Sequence, residues 1–124
     1  MQTEKTESEL AAEKEIQEMI EAAKKHGVDE VYKLTVPINE EYVEALVKYP
    51  SLNAYSIGLT LEDTNPLKGK LIVLNDMFLE GDRRMLEPEK STMNMKIFLR
   101  ACTAIDRIVD LKTAMIKKKS LTVQ

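Results

Sequence analysis

One long apolar stripe near the C-terminus constrains this chain more than any other feature. Met95, Phe98, Cys102, Ile105, Val109 and Ile116 recur at steps of three, four and seven, and Ala101, Ile108 and Met115 widen the band. Only an α-helix brings such positions onto one face. The spacing predicts a helix from Pro88 or Ser91 to Lys118, with Lys117, Lys118 and Lys119 complementing the negative end of its dipole. So long a stripe needs a covering surface, and the rest of a 124-residue chain must supply it. That length predicts one domain with a radius of gyration of ~14 Å.

The cover comes first from helices. Leu67, Leu71, Leu74 and Phe78, widened by Ile72 and Met77, predict a helix from Pro66 to about Leu79, stopped by Gly81-Asp82. Pro66 suits the first helical position. Before it, Ser51 reads as an N-cap, and Leu52, Tyr55, Ile57 and Leu59 give a short helix ending near Glu62. A loop through Arg83, Arg84 and Met85 leads on to Pro88. The segment from about Glu4 to His26 is also helical, with Ala11, Ala12, Ile16, Met19, Ile20 and Ala23 in one thin stripe. Thr6 and Glu9 have capping-box spacing, and Gly27 supplies the left-handed stop. Seven glutamates and four lysines cover its other faces, which places it on a surface or a partner rather than inside a core.

The period changes once. Between Glu30 and Val36 the residues alternate and are β-branched or aromatic, which predicts a strand that Pro37 ends for lack of a ladder donor. Pro37-Ile38-Asn39-Glu40 reads as a turn. Glu41 to Tyr49 fits either a helical step or a returning strand, and the strand is preferred because a lone strand leaves its backbone groups unpaired. The expected architecture is therefore α+β and predominantly α-helical. A short hairpin in the N-terminal third packs with three helices, beside a charged N-terminal helix. Residues 1–27 form that arm, residues 28–119 one globular domain, and residues 120–124 a loose tail.

Composition excludes several classes of function. A hydrophobic share of 44% is too high for a disordered chain, and four Gly with four Pro exclude low-complexity types. The net charge of −3 gives no global attraction to phosphate or anionic lipid. Leu71-Ile72-Val73-Leu74 is the longest aliphatic run, against the ~20 residues of a membrane span. The first ten residues lack the apolar core of a secretory signal. Cys102 is the single cysteine, so no internal disulfide forms and a reducing intracellular compartment fits.

The candidate chemistry is sparse. His26 is the only histidine and sits in Lys24-Lys25-His26-Gly27, where it suits capping a helix end better than acting as a base. Cys102 lies mid-stripe, as a small hydrophobe does. Asp76 and Glu80 are one helical turn apart, followed by Asp82, Glu87 and Glu89, a set able to hold a hard cation through one or two carboxylates. Arg83 and Arg84 among them favour ion pairing instead. No EF-hand, P-loop or G-x-G-x-x-G pattern can be written with isolated glycines. Three adjacent lysines without aromatics make nucleic-acid binding an unfavoured reading. Tyr32, Tyr42, Tyr49 and Tyr55 suit partial burial beside a sheet. No catalytic residue, cofactor or metal site is assigned. The adaptable Met19 with Ile16 and Ile20 is assigned as a partner-binding face, for a groove on another protein or for a second copy.

The order Asn65-Pro66-Leu67-Lys68-Gly69, then Leu74-Asn75-Asp76-Met77-Phe78-Leu79-Glu80-Gly81-Asp82, then a long helix closing on Lys117-Lys118-Lys119, resembles tail-assembly-chaperone-like proteins of tailed bacteriophages and prophages. The likeness spans about residues 30–119. It implies a non-enzymatic adaptor that binds another phage structural protein during tail building, in the host cytoplasm. Retention as a structural component of the virion is the alternative, and a small carboxylate-metal enzyme around Asp76 and Glu80 stands behind both.

Overall fold

The computed structural model describes residues 6–123, with side chains for residues 6–109. The elements run α1 (Glu7–His26), β1 (Tyr32–Ile38), β2 (Glu41–Val47), α2 (Leu52–Leu61), α3 (Pro66–Met77), β3 (Phe78–Gly81) and α4 (Thr92–Val123). Short 3-10 turns at Arg83–Leu86 and Pro88–Lys90 join β3 to α4. The fold is α+β and mainly helical. No helix among the described residues is long and apolar enough to cross a membrane.

Local chemistry sets the helix ends. Thr6 Oγ1 accepts the Glu9 N–H at 3.1 Å, which caps α1 ahead of Glu7; the expected start near Glu4 lies outside the described residues. Ser51 Oγ accepts the Ala54 N–H at 3.2 Å, and Ser91 Oγ accepts the Asn94 N–H at 3.0 Å. Each satisfies an N–H that has no carbonyl four residues back. Ser91, not Pro88, therefore opens α4. The buried Asn94 also donates to the Glu87 carbonyl at 3.0 Å, fastening the preceding loop to the helix.

The ambiguous segment is the strand β2. It pairs antiparallel with β1 through seven residue pairs, from Tyr32 opposite Val47 to Ile38 opposite Glu41. The strand does not stop at Val36: Pro37 and Ile38 belong to it, and the turn shrinks to Asn39-Glu40, with Asn39 at φ 56°. Proline is tolerated there because β1 is an edge strand, so no ladder partner waits for the missing N–H. The Pro37 carbonyl accepts from Arg100 of α4 at 2.8 Å.

A second difference is larger. The helix predicted to about Leu79 ends at Met77, and Phe78–Gly81 forms a third strand in the order β1-β2-β3. The Met77 carbonyl accepts the Lys48 N–H at 2.8 Å, and the Glu44 carbonyl accepts the Asp82 N–H at 3.0 Å. Those bonds occupy the free edge of β2, a gain that a longer helix does not offer.

The core follows from alternation. Leu34, Val36, Ile38, Val43, Ala45 and Val47 point to one side of the sheet and meet Ile97, Phe98, Ala101, Cys102 and Ile105 of α4. Leu74 and Met77 of α3 and Met85 of the connecting loop close the same cluster. Each large side chain fully buried here contributes about 1.5–3 kcal/mol. The α4 helix continues to Val123, through most of the segment expected as a tail. Met115, Ile116 and Lys117 to Lys119 lie outside the residues whose side chains are described.

Candidate functional site

The arm α1 lies over the opposite face of the sheet from α4. Lys33, Leu46 and Glu80 stand in one row across that face, since Lys33 pairs with Leu46 and Leu46 with Glu80. Lys33 Nζ lies 3.8 Å from Glu15 of α1 and 3.5 Å from Glu44 of β2. At the other end, His26 Nε2 is 2.9 Å from Glu80 Oε2, and Lys25 Nζ is 3.5 Å from the same oxygen. The His26 bond first, with the Lys25 charge behind it, holds the Glu80 carboxyl below its usual range against the opposing effect of burial. His26 thus ties the end of α1 to β3.

Glu15, Met19, Ala22 and His26 recur at helical steps and share the docked side of α1, where Ala22 is buried and Met19 and His26 half-buried. The expected partner face is divided by this arrangement. Met19 belongs to the docked side, while Ile16 is 57% and Ile20 44% exposed on the side turned away. The structure therefore brings Ile16 and Ile20 together and half-covers Met19.

A second apolar surface is formed by α2. Its ten residues carry no charge, and only Ala54 among them is buried. Leu52 is 84% and Leu59 53% exposed. Between α2, α3 and α4 lies a half-open cavity of about 270 Å³ walled by Tyr55, Leu59, Val73, Ile105 and Val109. Its mouth holds the Lys70–Asp106 ion pair at 3.0 Å, and the Asp106 bond raises Lys70 above its ordinary range despite some burial. Beside the cavity α2 and α3 cross closely at two glycines that also line it. A Cβ on Gly69 would sit 2.9 Å from the Gly58 carbonyl oxygen, and one on Gly58 would sit 2.7 Å from Val73 Cγ2. Sequence reading missed this surface, although ten consecutive uncharged residues on a short helix were a visible signal.

The carboxylates do not converge. Asp76 and Glu80 are one helical turn apart only if the helix continues, and the switch to β3 after Met77 separates them. Asp76 accepts from Lys48 Nζ at 3.1 Å, the Ser51 N–H at 2.8 Å and Ser51 Oγ at 3.2 Å. Asp82 takes Arg84, and Glu87 pairs with Lys90. Among the described residues, no group of three or more His, Cys, Asp or Glu is placed to hold a metal ion. Cys102 is buried, and burial pushes its thiol up to about 12, far from the thiolate a nucleophile needs. Tyr32 and Tyr49 are half-buried at the end of the hairpin, their ring centres 6.4 Å apart, while Tyr42 is exposed.

Asp76 is instead a joint between β2, α2 and α3. Burial alone raises its pKa, but the Ser51 N–H and Lys48 outweigh that effect and lower it. The Asp76→Ala variant is expected to lose about 1–3 kcal/mol, because the Ser51 N–H and Lys48 lose their acceptor. A carboxylate with a depressed folded pKa stabilises above its unfolded value of about 4, and that contribution disappears as pH falls through the folded value. Urea unfolding should therefore show the deficit of Asp76→Ala in full at neutral pH and narrowing in acid. An equal deficit at both ends would remove the charge from this account.

Comparisons with protein-family models, with curated proteins and with solved structures return no match.

Proposed function

We propose that this chain is a non-enzymatic interaction protein of a tailed bacteriophage or prophage, a tail-assembly-chaperone-like adaptor that works in the host cytoplasm without a cofactor. The observation that carries an interaction role is the exposed, uncharged α2 beside an apolar-walled cavity. A surface helix without a single charge gains little from water, whereas a partner helix laid along it buries Leu52 and Leu59 together. The assignment to phage tail building rests on the order and spacing of the sequence around Asn65 to Asp82 and on the Lys-ended last helix. In this reading α2 and the cavity receive a segment of a tail structural protein, and the exposed Ile16 and Ile20 of α1 form a second contact face, with Met19 held on the docked side.

Coexpression with the tail-tube and tape-measure proteins of the same phage or prophage tests the reading. A stable complex with one of them, lost in Leu59→Glu, is the expected result. No complex with either protein would overturn it. Mass spectrometry of purified particles then distinguishes an adaptor, absent from the particle, from a virion component held at fixed copy number.

A further inference from the structure

The cavity beside α2 has an acidic mouth. Leu52, Tyr55, Leu59 and Glu62 follow steps of three, four and three, so they share one face of α2, which Glu62 caps. Tyr55, Leu59 and Glu62 of that row line the cavity, and Leu52 extends it as an exposed apolar position. The other walls come from Lys70 and Val73 of α3 and from Ile105 and Asp106 of α4. The row is thus apolar along two turns and acidic where it ends.

The charges at that end do not cancel. Lys70 and Asp106 neutralise each other across 3.0 Å. Glu62 is exposed, and next to the Asp106 bond its charge adds only a minor push to the raised pKa of Lys70. Two acids against one base leave the mouth with one negative charge. The last turn of α2 carries no base, so the negative end of the helix dipole adds to Glu62 rather than being offset. Lys68 and Arg107 do not line the cavity, because residues one or two apart on a helix point to different faces.

Size and symmetry narrow the occupant. Whole small-molecule ligands fill pockets of about 300–1,000 Å³, whereas this half-open cavity holds about 270 Å³. It suits one bulky side chain inserted from a partner whose remainder lies outside. A second copy docked through α2 fits poorly. Set antiparallel about a two-fold axis, Glu62 of one copy would fall against Leu52 of the other; set parallel, two Glu62 carboxylates would meet.

We propose that this cavity takes a bulky apolar side chain from a basic amphipathic helix, and that a lysine or arginine of that helix is bound by Glu62. The inference rests on α2 being the docking surface of the proposed adaptor, and it names the chemistry of the client as an apolar anchor with a cationic flank. Leu52 covers the continuation of the helix's apolar face. The exposed carboxylate sets the choice of partner more than the strength of binding, because it repels an acidic helix that carries the same anchor.

Two synthetic peptides of about 15 residues serve as probes, one an amphipathic leucine–lysine helix and the other its twin with glutamate for every lysine. Methyl NMR of the full chain should show the lysine peptide shifting Leu59, Val73 and Ile105, with the glutamate twin binding at least about tenfold more weakly. Glu62→Lys with Asp106→Lys should reverse that preference with unchanged circular dichroism, since both side chains lie at the surface. No binding of the lysine peptide, equal binding of the twins, shifts confined to Ile16 and Ile20, or a preference untouched by the charge reversal would each overturn the proposal. So would a chain that dimerises through Leu59 on its own. No phage protein enters these titrations, so their outcome is separate from that of coexpression. Peptide binding as expected beside a failed tail-protein complex keeps this inference and removes the tail-assembly reading; a tail-protein complex indifferent to Glu62→Lys does the reverse.

Discussion

Replacing Gly81 with valine is expected to strip β3 from the sheet and lower stability by about 3–5 kcal/mol. The residue holds φ +136°, a conformation that L side chains rarely adopt. Space is lacking too. A Cβ there would stand 2.5 Å from Ala45 Cα and 2.6 Å from the Glu44 carbonyl oxygen. Both atoms belong to the backbone region of β2, so no side chain can rotate aside to admit the methyl groups. The strand must retreat, and with it go the Ala45–Gly81 and Leu46–Glu80 pairings. Because Glu80 is the acceptor that His26 reaches from α1, the arm should loosen at the same time. Denaturant unfolding checks the energy, and amide exchange at Leu46 and at the end of α1 checks the path. A variant that unfolds at the wild-type midpoint would show that β3 is dispensable.

Phe98→Ala is the other large effect, with an expected loss of about 3–5 kcal/mol from the cavity left in a packed interior. Phe98 is among the largest fully buried side chains, set between the inner face of the sheet and α3. For a domain of this size the melting temperature should fall by roughly 10–25 °C. Leu99 on the same helix provides the contrast. It is 43% exposed, and Leu99→Ala should change stability by no more than about 0.5 kcal/mol beyond the small propensity effect. A calorimetric scan of the two variants reads the difference directly, and equal shifts would mean that the buried face of α4 has been misplaced.

That face shows what a helical period can reveal. Phe98, Cys102, Ile105 and Val109 all lie on the buried side of α4, and the caps Thr6 and Ser51 sit where their side chains suggest. Such features are local: a cap needs an N–H three residues ahead, and a stripe needs only a regular twist. The candidate surface was half legible. Ile16, Met19 and Ile20 were visible as apolar positions on a charged helix, but which of them the sheet would cover, Met19 as it proves, depended on where α1 came to rest.

What the chain alone determined, then, was the helical majority, the first strand after the charged arm and the uncharged character of α2, because each is written in short-range spacing. Tertiary structure decided the rest. It ended α3 at Met77 and turned Phe78–Gly81 into a strand, since the free edge of β2 offered backbone partners that no pattern within those four residues announces. It scattered the carboxylates among Lys48, His26 and Arg84, and it set α1 and α4 on opposite faces of one sheet. Long-range pairing fixes such choices, because they depend on groups separated in sequence that meet only after the chain has folded.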